Sequence, residues 1–118
     1  MTTSTQLLVD RLVDTYPELR TLRREHVDTF GELLPHVLFG ELTAWLVNAY
    51  IADPEAGPEA ASRRILADLE RDSQTGDPDV RELLYASFLE NLPTPDEDGA
   101  GIAAHLGPRL ATDLADFR

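Results

Sequence analysis

Apolar residues recur along the chain at three- and four-residue spacing, the period of α-helices with one buried face. Leu8, Val9, Leu12, Val13 and Tyr16 form the first such stripe and predict a helix over about residues 4–16. Thr3 and Gln6 stand at capping-box spacing at its start. Pro17 suits the first turn of a second helix, where its missing N–H costs little. Leu19, Leu22, Arg23, His26, Val27 and Phe30 carry the period on to a stop near Gly31. Pro35 interrupts the next stretch, because it has no N–H to donate and biases Leu34 away from helical dihedrals. From His36 to about Ile51 runs the most apolar segment, HVLFGELTAWLVNAYI, with apolar residues around most of its circumference. Such a helix is expected at the centre of the fold, buried on several sides.

Asp53-Pro54 and Gly57-Pro58 mark the loop that follows. A fourth helix is predicted over about residues 59–73, with Ile65, Leu66 and Leu69 inward and Gly76 as its stop. Asp77 as N-cap and Pro78 at the first helical position start a fifth. It carries Val80, Leu83, Leu84, Ser87 and Phe88 on one side and ends by Pro93. Residues 93–101, PTPDEDGAG, hold three acids in a row and no apolar anchor, and read as an exposed loop. Ile102, Leu106, Leu110, Leu114 and Phe117 then predict one or two helical turns on each side of Gly107-Pro108. No segment alternates as a strand does. With connections this short, neighbouring helices should pack antiparallel. Residues 1–118 therefore read as a single all-α domain, an irregular helical bundle or stacked αα-hairpins. Asp77-Pro78-Asp79-Val80-Arg81 resembles the start of an inner helix in HEAT-type repeats. There is room for at most two hairpin units and no clear internal repeat, which argues against a solenoid.

Charge narrows the choice of partner. The chain has 22 acidic residues against 10 basic ones, a formal net charge of -12, and every basic residue is arginine. Such a surface repels nucleic-acid phosphates and anionic lipid heads, and favours encounter with a basic protein. Solubility alone also accounts for the charge. Cysteine is absent, so disulfides, thiolate catalysis and Cys-ligated metal sites are excluded. That fits a reducing cytoplasm. No apolar run approaches the roughly 20 residues of a membrane span, and the N-terminal sequence lacks the features of a secretory signal.

Candidate catalytic chemistry is sparse. His26, His36 and His105 lie far apart and match neither the HExxH nor the Glu-x-x-His pattern, so no metal and no cofactor is expected. Glu32 and His36 form the one candidate polar pair for an enzyme, although Pro35 lies between them. Ser4, Ser62, Ser73 and Ser87 lack a nucleophile-elbow context, and Ser87 reads as a small residue that lets helices approach. Carboxylates carry more information. Glu41 shares a helix face with Val37, Leu38, Trp45 and Asn48. Among such neighbours an acid is either paired, with Arg20, Arg23 or Arg24 as candidates, or lies at the edge of an exposed patch. Trp45, the single tryptophan, is correspondingly a core residue or an interface anchor. Asp68, Glu70, Asp72, Asp77, Asp79 and Glu82 cluster about the turn between the fourth and fifth helices, as a solvated face or a landing patch for a basic partner.

The run GELLPHVLFGEL (residues 31–42) with Trp45-Leu46, and SFLENL (residues 87–92), resemble a family of small helical bacterial proteins, a domain of unknown function whose members have been suggested as immunity proteins of polymorphic-toxin systems. The resemblance covers roughly residues 7–115. It implies Glu32, His36, Glu41, Trp45, Glu90 and Asn91 as candidate functional positions. The resulting expectation is a cytoplasmic, non-catalytic protein that occludes a basic toxin. Its partner-binding residues would be Glu41, Trp45, Glu90, Asn91, Asp68 and Asp72. The alternatives are a general helical scaffold module and a small enzyme built on Glu32 and His36. Homo-oligomerisation through the Trp45 face is a further option.

Overall fold

A computed structural model describes residues 2–118, apart from the side chain of Phe117. All regular structure among the described residues is helical. Helix α1 (Ser4–Thr15) opens on the capping box that its sequence predicts: Gln6 N–H donates to Thr3 Oγ1 at 3.2 Å and Thr3 N–H to Gln6 Oε1 at 3.1 Å. Leu8, Val9, Leu12 and Val13 are buried, as their spacing requires. Helix α2 (Glu18–Phe30) follows at once and is closed by Gly31 in the left-handed conformation, φ 76°. Leu19 and His26 face inward, whereas Phe30, expected on the same stripe, is 44% exposed.

Leu34 is extended and Pro35 takes the first position of helix α3 (Pro35–Ala52). The proline therefore starts this helix, the role its missing N–H best suits. Helix α3 packs on α1, α2 and the segments described next, and buries Leu38, Phe39, Leu42, Thr43 and Leu46. Its burial is one-sided, however. Val37 (41% exposed), Ala44, Asn48 and Ile51 (48%) face solvent.

Helix α4 (Ala61–Ser73) leads to α5 (Pro78–Leu83), which Asp77 caps by accepting from the N–H groups of Asp79 (2.9 Å) and Val80 (3.2 Å). The chain then widens into a π-helical turn, Leu84–Phe88, and tightens into a 3-10 turn, Leu89–Asn91. Leu83, Leu84, Ser87, Phe88 and Leu89 are all buried, more of the circumference than one α-helical face covers. Residues 94–98 are exposed, as expected of the loop. Gly99 nevertheless anchors it: a Cβ there would lie 2.8 Å from Val47 Cγ1 on α3.

The C-terminal part is longer than its sequence suggests: a 3-10 helix, Ala100–His105, then ten residues of α6 (Pro108–Phe117). The inward role expected of Phe117 lies outside the described residues. Ile102, Leu110 and Leu114 join one core shared by all the helices. Gly107, just before α6, has no side chain to cap it. Glu70 on α4 supplies the cap instead, accepting from the N–H groups of Arg109 (3.0 Å) and Leu110 (2.9 Å) and from the Gln74 amide (2.9 Å). A Cβ on residue 107 would lie 2.3 Å from Glu70 Cγ, so only glycine admits this carboxylate.

Burial pushes the Glu70 carboxyl upward, but the Leu110 N–H, the Gln74 amide, the Arg109 N–H and the Arg109 charge outweigh it and hold the group below the ordinary glutamate range. A carboxyl depressed in the fold contributes stability that is present above its unfolded value and is lost as pH falls through the folded one. Glu70→Ala should lower unfolding free energy by about 2 kcal/mol in urea titrations. Glu70→Gln should flatten the acid limb of the stability–pH curve.

Candidate functional site

The motif residues meet at the corner between α2 and α3 and at the π turn beneath it. An antiparallel helix pair brings together residues equally distant from its corner. His26, five before Gly31, thus meets Glu41, six after Pro35. His26 Nε2 accepts the Leu34 N–H at 3.0 Å, which leaves the proton on Nδ1, 2.5 Å from Glu41 Oε1. The ring is fully buried and packs on Phe30, with centroids 4.9 Å apart. Glu41 is therefore paired, but with His26 and not with an arginine of α2; Arg23 turns to Asp10 at 2.9 Å. About a third of the Glu41 side chain stays exposed, on the outer face of α3.

A second polar cluster lies on the next face of α3. His36 Nδ1 and Ser87 Oγ are 2.6 Å apart. The Ser87 carbonyl accepts from Asn91 Nδ2 at 2.8 Å and from Thr43 Oγ1 at 3.3 Å, and the Thr43 hydroxyl also reaches the Phe39 carbonyl at 2.6 Å. Asn91 Nδ2 is 3.7 Å from where a Cβ on Gly40 would stand. These bonds satisfy a carbonyl of the π turn and knit that turn to α3. The buried Ser87 hydroxyl contacts an exposed imidazole, but among the described residues no acid orients His36 as a nucleophile-base pair needs.

Glu32 is exposed in the bend before α3 and makes no hydrogen bond or ion pair with His36 among the described residues; His36 is committed to Ser87. Glu90 and Asn91 are exposed on the 3-10 turn beside the second cluster. Trp45 is half-buried, its inner side packed against the core. Asp68 and Asp72 lie elsewhere, on α4. Asp68 accepts from the Tyr16 hydroxyl and from Arg71, and the buried Asp72 pairs with Arg11. Burial pushes the Asp72 carboxyl upward against the opposing Arg11 and Arg71 charges. Among the described residues, no group of three or more His, Asp or Glu side chains is placed to hold a metal ion, and no helix is long and apolar enough to cross a membrane.

The model of a family described as Domain of unknown function (DUF7674) matches residues 9–116. The chain belongs to that family. No curated protein and no solved structure matches it. The matched span includes all six helices except the first residues of α1 and the end of α6, so the family domain and the fold described above coincide.

What the arrangement presents is a surface: Phe30, Val37, Ala44, Asn48 and Ile51 exposed, Trp45 half-exposed, and Glu41 fixed among them by a buried imidazole. Sequence periodicity missed the part played by Phe30 and His26, because both lie on the stripe that reads as core. Glu41→Ala should cost about 1–2 kcal/mol in urea unfolding, since it leaves a buried N–H without its acceptor. Glu41→Gln, which keeps an acceptor oxygen, should retain most of that stability.

Proposed function

We propose that this protein is a cytoplasmic, non-catalytic binding domain of the immunity type, which neutralises a cognate bacterial toxin by covering it. The observation that carries the reading is the outer face of α3. In a chain of net charge -12, α3 has no basic residue and a single acid, Glu41, and leaves Val37 and Ile51 41% and 48% exposed. Exposed apolar side chains around an oriented carboxylate and a half-buried tryptophan have the make-up of an interface centre: an aromatic anchor, low charge and one directional polar group. Glu32 and Glu90, both exposed at the corner and on the 3-10 turn, supply the acidic rim that steers a basic partner. Asn91, exposed beside Glu90, adds an amide to that rim, though its Nδ2 is shared with the Ser87 carbonyl. Asp68 and Asp72 are given no part, because Arg71, Tyr16 and Arg11 already hold their carboxylates.

Occlusion needs no catalytic group, and the bonding of His36 to Ser87 instead of Glu32 favours this reading over an enzyme built on that pair. A scaffold role with a partner other than a toxin would use the same face.

The test is neutralisation. Co-expression should protect cells from one basic toxin domain, with a one-to-one complex whose association slows as salt rises. Trp45→Ala and Glu41→Arg should each weaken binding at least roughly tenfold. Protection by both variants at wild-type level, or association indifferent to salt, would contradict the reading.

A further inference from the structure

Charge on this molecule is not evenly spread. Two grooves run along the flanks of α4 and share Pro58 and Ala67. The one between α4 and α1, of about 320 Å³, is lined by Arg11, Arg64 and Arg71 together with Thr15 and Tyr16. Its neighbour, of about 390 Å³, adds Arg63 and His105. Four of the ten arginines of a strongly acidic protein thus border two adjoining grooves.

Asp68 also lines the first groove, and Asp72 lies behind Arg11, but both are engaged. Arg71 holds Asp68, which also takes the Tyr16 hydroxyl, and Arg11 holds Asp72. A guanidinium has five N–H donors in a planar fork, so one carboxylate contact leaves others open. The Arg11 and Arg71 side chains remain 58% and 75% exposed. Arg64 has no carboxylate partner among the described residues. Its guanidinium lies over the Tyr16 ring, 5.4 Å from the centroid. Stacking occupies the face of the fork and leaves its donating edges free. Arg63 is buried, and two of its N–H donors go to the carbonyls of Pro54 (2.9 Å) and Ala56 (3.3 Å), so it contributes field more than contact.

We infer that the groove between α1 and α4 is a second binding surface, which takes a short, extended, acidic polypeptide segment whose carboxylates pair with Arg64, Arg11 and Arg71. The dimensions select the occupant. Arg64 to Arg71 spans roughly 10 Å of helix at about 1.5 Å per residue, which three or four extended residues cover at about 3.3 Å each. A nucleic-acid strand would bring a longer run of phosphates into the field of a molecule carrying -12, at a cost that a few carboxylates avoid. The planar forks also match carboxylate geometry. This surface lies on α1 and α4, away from the outer face of α3, and stands whatever docks there.

The probe is a capped hexaglutamate peptide, followed by two-dimensional NMR of the full chain. The peptide should shift the resonances of Thr15, Ala67 and the Arg64 side chain. Affinity should fall at least roughly tenfold between about 0.02 M and about 0.3 M salt. Arg64→Glu should lower it at least roughly tenfold, and Arg64→Gln less. Arg81→Glu, the same change of charge on α5, should leave it within about twofold. The inference is overturned by no binding up to about 5 mM peptide, by an equal loss in Arg81→Glu, or by a thymidine hexanucleotide binding more tightly than the peptide.

Discussion

Everything in this molecule is arranged around α3, which has to be the centre of the core and part of the surface at once. An 18-residue helix with one acid and no base is stable in water only where neighbours cover it. Helices α1, α2, α4 and α5 and the π turn do so along its inner side. The uncovered side is held by polar contacts at its margins. At one edge the buried His26 bonds Glu41 within that side and takes the Leu34 N–H, while His36, Thr43 and Asn91 gather on Ser87 at the other. The low-charge face between those edges is as well defined as the core behind it.

The two polar clusters share a logic. Each satisfies a backbone group that the helical pattern leaves over: the Leu34 N–H at the entry to α3, and the Ser87 carbonyl inside the π turn. Each uses a side chain from a different element to do so, and thereby sets the position of that element. Glu70 plays the same part for α6, whose N-terminus has a glycine where a capping side chain would stand. Charge here sits at the joints between helices, and arginine-lined grooves along α4 and on α2 interrupt the acidic surface that remains.

The features legible in the sequence are those whose cause is local. Thr3 and Gln6 cap α1, Asp77 and Pro78 start α5, Gly31 closes α2, and the stripe from Leu8 to Val13 is buried, because each depends on residues within one or two turns. What could not be read depends on pairing at a distance. Glu41 finds His26 because of where the corner falls, not because arginines are near in sequence. Phe30 follows the core period and yet lies outside, since the chain turns immediately after it. The π turn has no signature of its own; Leu83, Leu84, Ser87, Phe88 and Leu89, buried along it, fit a regular helix in sequence equally well. Asp68 and Asp72 belong to an acidic run in sequence, and only the packing of α1 on α4 reveals that arginines already hold them.

The claim on which the account turns is that the outer face of α3 is kept for a partner and is not needed by the fold. The double variant Val37→Glu, Ala44→Glu tests this directly when its urea unfolding is measured beside its protection of cells from the toxin. The account predicts stability within about 0.5 kcal/mol of the parent, as for exposed positions, together with loss of protection. Unchanged stability with full protection would contradict it, and so would a loss of several kcal/mol, which would mark this face as part of the core.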